Sequence, residues 1–150
     1  MARPSPEDRL DVIETCTRFG WHADQREWDR FAEVLTDVLY LDYTALAGGE
    51  PGDVKSADLI ASWKELFGRL TTTQHLITNH LVDVDGDSAV CTAQFHAHHV
   101  AAVAHGDQTM ILSGHYRFGL VRAGDGWQIN SLVMTPTWST GNLAVLGIPG

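Results

Sequence analysis

The chain has 150 residues, 44% of them hydrophobic, a length suited to a single domain (1–150) with a core and a ligand cavity. A net charge of −9 argues against nucleic acid as a partner; there is no polybasic amphipathic segment for a membrane surface, and no apolar run is long enough to span a bilayer. The start, MARPSPEDR, lacks the apolar stretch of a signal peptide, which predicts a cytoplasmic protein. Cys16 and Cys91 lie far apart without metal-like spacing and read as reduced core thiols.

Helices come first. Ser5 followed by Pro6, Glu7 and Asp8 predicts a helix start: a capping hydroxyl, Pro at the first helical position and carboxylates in the first turn. From Pro6 to Asp24, at about 100° per residue, Asp11, Glu14, Arg18 and His22 share a polar arc. Leu10, Val12, Ile13, Cys16, Phe19, Gly20 and Ala23 share the apolar arc, and Asp24 falls among them. A carboxylate on that side needs a cationic or hydrogen-bonding partner inside the fold, and one of the eight histidines is the natural candidate. A second helix is predicted over Glu27–Leu35 with Trp28, Phe31 and Leu35 as its apolar stripe, then a β segment over Val38–Tyr43. Gly48–Asp53 reads as a loop, and Ser56 as the cap of a third helix to Gly68 that buries Leu59, Ile60, Trp63 and Phe67.

After Thr71 the pattern turns to strands: His75–Val84, Ala89–Ala104, Met110–Arg122 and Trp127–Thr137, separated by turns at Asp85–Asp87, Gly106–Asp107 and Gly124–Gly126. Helices followed by hairpin-linked antiparallel strands predict an α+β domain, a curved sheet wrapped around a helix. Alternation puts Cys91, Ala93, Phe95, Ala97, His99 and Ala101 on one face, mostly small and so leaving space, with Thr92, Gln94, His96 and His98 opposite. In the next strand Met110, Leu112, Gly114, Tyr116, Phe118 and Leu120 face the core, and Ser113, His115 and Arg117 face away. His75, Ile77, Asn79 and Leu81 go together, with His80 opposite.

Taken in order, Asp24-x-x-x-Trp28-Asp29-x-Phe31, Leu41-Asp42-Tyr43, Thr73-Gln74-His75-x-Ile77-x-Asn79, the Asp85-Gly86-Asp87 hairpin and the late Gly126-Trp127 resemble the SnoaL-like branch of the nuclear transport factor 2-like superfamily. The likeness is to scytalone dehydratase, hexachlorocyclohexane dehydrochlorinase and bile-acid dehydratase. It implies a cone-shaped fold, helices packed in a curved, mostly antiparallel sheet, around a pocket that hosts lyases, isomerases, cyclases and non-enzymes. The resemblance implies an acid–base dyad at Asp24 and His75, a second pocket histidine at His99 and a strand tyrosine at Tyr43. The dehydratase has a tyrosine just before its aspartate, where this chain has Ala23.

The dyad also follows from chemistry. Imidazole removes a proton near neutral pH, and a carboxylate on its other nitrogen fixes the tautomer and steadies the imidazolium. Elimination beside a carbonyl then needs a base, an acid and a dry pocket, with no cofactor. Each residue also has a structural reading: Asp24 as a helix-end cap, His75 and His99 as satisfied core histidines, Tyr43 as packing. Asn79, Trp21, Trp63, Phe95, Tyr116, Met134 and Trp138 are the candidate substrate-binding residues. His96-x-His98-His99 suggests a metal, but neighbouring strand residues point to opposite faces, so no metal site is predicted; His22 and His105 read as surface or loop. The expected function is that of a cofactor-independent lyase or isomerase for a small hydrophobic, cyclic or polyketide-like molecule. Epoxide opening or cyclisation with carboxylate-activated water, and a ligand-binding module, are the alternatives. The half-apolar outer face around His96, His98, Ile111 and His115 predicts a homo-oligomer, dimer or trimer.

Overall fold

In the computed structural model, which describes residues 3–148, the chain starts as its local chemistry dictates. The Ser5 hydroxyl accepts the Asp8 N–H at 3.0 Å, Pro6 takes the first turn, and helix α1 runs Pro6–Gln25. Val12, Cys16, Phe19 and Ala23 are buried along it, as the apolar arc requires. Two residues depart from that arc. Leu10 is 65% exposed, and His22 is buried, with Nδ1 3.3 Å from a Glu27 carboxylate oxygen. The second helix, α2, is shorter than expected, Trp28–Glu33, because Leu35 opens strand β1, Leu35–Asp42. A one-turn helix α3, Thr44–Ala47, follows, and then strand β2, Gly52–Lys55. The segment read as loop therefore enters the sheet at Gly52, where β2 pairs antiparallel with β1. Helix α4 spans Ser56–Gly68 with Lys55, not Ser56, at the cap position and no side-chain cap bond. It buries Leu59 and Phe67, whereas Ile60 and Trp63 are only partly covered, Trp63 because it faces a cavity.

The long strands are β3 (Thr72–Asp85), β4 (Ser88–Val100), β5 (Thr109–Ala123) and β6 (Gly126–Gly141), followed by a 3-10 turn, Leu143–Leu146. The six strands form one sheet in the order β2-β1-β6-β5-β4-β3, antiparallel except where β1 runs parallel to β6. Register shifts in β3, β5 and β6 bend it. At Gly114 an added Cβ would sit 2.0 Å from the Thr135 carbonyl oxygen, so only glycine permits that close approach.

The concave face packs on α1. Phe19 sits at the centre, its ring 5.2 Å from Phe31, 5.5 Å from Trp63 and 5.7 Å from Phe118. The alternation in β4 is as predicted: Cys91, Ala93, Phe95, Ala97, His99 and Ala101 are buried. In β3 it breaks. A bulge between Thr78 and Leu81, with Asn79 at φ 56°, turns His80 inward and leaves Leu81 68% exposed. Ser113 faces away from the core as expected, yet is buried beneath His96, whose Nδ1 it meets. Among the described residues no helix is long and apolar enough to cross a membrane.

Candidate active site

Two elements that share no sequence neighbourhood meet because one residue of α1 has no side chain. A Cβ at Gly20 would lie 2.9 Å from Ile77 Cδ1 and 3.3 Å from His75 Cβ, so α1 rests against β3 at van der Waals distance. One turn later, Asp24 is alongside His75. Asp24 Oδ1 lies 2.7 Å from His75 Nδ1, and Oδ2 accepts the His75 backbone N–H, also at 2.7 Å. The Thr73 hydroxyl donates to Oδ1 at 2.8 Å. Both side chains of the pair are nearly buried, 9% exposed for His75 and 10% for Asp24.

Burial alone would push the Asp24 carboxyl up. The hydrogen bond and charge of His75, the His75 backbone N–H and the Thr73 hydroxyl outweigh it and hold the group below its ordinary value. Asp24 is thus the carboxylate, and His75 Nδ1 is the donor. That leaves Nε2, on the far side of the ring, to meet a ligand.

His75 stands in the wall of a cavity of about 360 Å³ between α4, α3 and the concave sheet. Its lining is mostly apolar: Trp63, Phe67, Phe95, Leu112 and Met134, with Leu146 and Ile148 from the C-terminal turn. The polar groups are few: His75, His99, Tyr43, Tyr116 and Ser62. His99 crosses His75 at right angles, ring centroids 5.6 Å apart. Its Nδ1 donates to the Met110 carbonyl at 3.1 Å. Burial, helped by the charge of His75, pushes His99 down to about 4, so it is neutral at pH 7 and its Nε2 is an acceptor. The Tyr43 hydroxyl is buried with no hydrogen-bond partner of normal geometry among the described residues. Burial and the neighbouring Tyr116 phenol raise its pKa well above a free phenol's, and burial likewise raises that of Tyr116; both stay proton donors.

Of the sequence candidates, Asp24, His75, His99, Tyr43, Trp63, Phe95, Tyr116 and Met134 come together at this cavity or its wall. Three do not. The β3 bulge carries Asn79 to the exposed side, where its amide bonds Gln94. Trp21 is 59% exposed and lines a separate groove between α1 and β3, one that Asp24, Thr73 and His75 border from the side away from the apolar cavity. Trp138 is 53% exposed on the opposite sheet face, its ring 5.6 Å from His96. The sequence marks Thr73 only within the family motif, Phe67 only as a core residue and Arg26 not at all, yet all three pack around the dyad. His96 and His98 lie edge to face at 4.8 Å on the outer face, and among the described residues no group of three or more His, Cys, Asp or Glu could hold a metal ion.

Residues 4–133 match the SnoaL-like domain family. An uncharacterized protein of Mycobacterium tuberculosis is 30% identical over 130 residues, 85% of this chain and 84% of that protein. In structure the chain is similar to the Kfla4162 protein of Kribbella flavida, with a TM-score of 0.91, 30% identity, and coverage of 97% of this chain and 100% of that one. A candidate scytalone dehydratase from Novosphingobium aromaticivorans superposes with a TM-score of 0.78 at 17% identity, covering 91% and 88%, a likeness of fold.

Proposed function

We propose that this chain, which belongs to the SnoaL-like domain family, is a cofactor-independent acid–base enzyme. In this reading it is an elimination lyase or an isomerase for a small, hydrophobic, cyclic or polyketide-like molecule. One observation carries the reading: an ionised carboxylate 2.7 Å from the Nδ1 of an imidazole in the wall of an apolar cavity. His75 Nε2 takes a proton from a carbon beside a carbonyl, and Asp24 steadies the imidazolium. Charge growing on the carbonyl oxygen is met by the phenols of Tyr43 and Tyr116. In an isomerase the proton returns at another carbon; in a lyase a group leaves the adjacent carbon. His99 serves as a neutral acceptor for a ligand hydroxyl, because its proton is engaged by Met110.

Asp24-activated water, the chemistry of epoxide opening, is less favoured. Both Asp24 oxygens already accept protein donors, and the carboxylate is turned toward His75. A binding module has no need of such a pair beside an open cavity.

The test uses α-proton exchange, which needs only the base. With 2-tetralone in D₂O, the wild-type protein should accelerate deuterium uptake beside the carbonyl, followed by NMR. His75→Ala should slow it by about 10²–10⁴-fold. Asp24→Asn should also be damaging, because an amide presents its NH₂ to Nδ1 and favours the wrong tautomer. If both variants melt like the wild type and exchange as fast, the binding-module reading replaces this one.

A further inference from the structure

Helix α1 ends in a way that local propensity does not explain. Its C-cap is Arg26 in the left-handed region, φ 58° and ψ 32°, where glycine or asparagine is the usual choice. Its backbone N–H closes the helix onto Ala23 O, which glycine would do with less strain. The difference lies in the side chain. The guanidinium turns back under the site: Nη1 donates to the Asp24 carbonyl at 2.8 Å and to the Thr73 hydroxyl at 3.0 Å, and Nη2 donates to the Phe67 carbonyl at 3.3 Å. It also lies 5.1 Å from the Phe67 ring centroid, and that ring stacks parallel to His75 at 6.4 Å.

A threonine hydroxyl has a single proton. With Arg26 donating to its oxygen, Thr73 must send that proton elsewhere, and Asp24 Oδ1 is 2.8 Å away. The ionised carboxylate can only accept that bond, so Arg26 fixes the position of the Thr73 hydroxyl, and through it the carboxylate oxygen that faces His75. We propose that Arg26 and Thr73 are positioning residues of the dyad: Arg26 orients Thr73, Thr73 orients Asp24, and Arg26 clamps the Phe67 backing of the His75 ring. This rests on the reading of Asp24 and His75 as an acid–base pair.

The charged and titratable groups around Asp24 are His75 on β3, His99 on β4, Tyr116 on β5 and Arg26 at the end of α1. Removing the Arg26 cation, or the Thr73 donor, takes away something that favours the ionised carboxylate, so the Asp24 midpoint must rise. The measurement is the carboxyl ¹³C titration of Asp24 in protein labelled with carboxyl-¹³C aspartate, assigned with Asp24→Asn. Arg26→Met and Thr73→Val should each raise the midpoint by about 0.5–1.5 units. The double variant should add little to either single change, because both act through the same bond. Thr73→Ser, which keeps the hydroxyl, should restore the wild-type midpoint. A purely structural role would lower the melting temperature without this pattern. An unmoved midpoint in folded Arg26→Met, or Thr73→Ser shifting as far as Thr73→Val, overturns the proposal. Should Arg26→Met fail to fold, Arg26→Ala, which also removes every donor to Thr73, is read by the same criterion. The titration involves no substrate, so it can fail while His75→Ala still abolishes exchange, or hold in a protein that exchanges nothing.

Discussion

Two imidazoles in one cavity differ in what their Nδ1 atoms meet. His75 donates its Nδ1 hydrogen bond to a carboxylate, which leaves Nε2 free to take a proton and stabilises the imidazolium once formed. His99 gives its proton to a peptide carbonyl in a nearly dry setting, 6% exposed, and its charged form is suppressed to about 4. That suppression has a thermodynamic signature. An unfolded histidine binds its proton below about 6.5, whereas folded His99 does so only below about 4. Between those limits the unfolded chain holds more protons, so stability falls as pH drops from about 6.5 toward 4. The full difference is on the order of 3 kcal/mol, with about 2 kcal/mol lost by pH 5. Denaturant melts at pH 7 and pH 5 should therefore show a drop in the wild type that is markedly smaller in His99→Leu. Equal losses in the two proteins would mean that His99 titrates like an exposed histidine.

At the scale of elements, the site is a crossing of α1 over β3, and the space at Gly20 makes it possible. Gly20→Val would drive a branched side chain into Ile77 and the His75 Cβ, separating helix from strand just where Asp24 must reach His75. Misplacing reacting groups by about 1 Å costs on the order of 10²-fold in rate. Exchange by Gly20→Val should therefore fall by at least about 10-fold at a temperature well below its melt; unchanged exchange would show that the crossing tolerates displacement. Much of this crossing could be read in advance. Helical period alone marks Asp24 as out of place, because a carboxylate on the apolar arc must be answered from the sheet. The small residues of β4 likewise announce a cavity with His99 in its wall. What escaped was whatever a regular period cannot carry. The parity of β3 assumed an unbroken pleat, so one residue at φ 56° was enough to misplace Asn79 and reverse His80 and Leu81. Ring type alone suggests pocket walls at Trp21 and Trp138, but their positions depend on which side of an edge strand or bent sheet they fall. Arg26 and Thr73 are 47 residues apart in sequence and joined by a left-handed cap, a contact no local pattern encodes.

The molecule as a whole carries nine more negative than positive charges, yet one broad surface lacks carboxylates. Across the outer face of the sheet the registers align Leu76, His96, Ser113 and Trp138 in one row, and Gln74, His98, Ile111 and Thr140 in the next. Thr78, Gln94, His115 and Thr135 form a third row, and no aspartate or glutamate stands in any of them. Leu76 is 46% and Trp138 53% exposed at the two ends of the first row. Two copies of an acidic chain repel each other through most of their surfaces; here they can approach with apolar and neutral polar groups facing one another. A second copy seated on this face would cover both side chains, and in a two-fold dimer the same rows would stand opposite themselves. Light scattering at micromolar concentration should then give a dimer or trimer of the 16.5 kDa chain. Leu76→Glu together with Trp138→Glu would set carboxylates against carboxylates in the assembled form, and should give the monomer mass while leaving α-proton exchange in the cavity on the other face of the sheet intact. A wild-type protein that already scatters as a monomer would leave the outer face without this partner, and an exchange rate that falls with dissociation would show that the assembly braces the cavity as well.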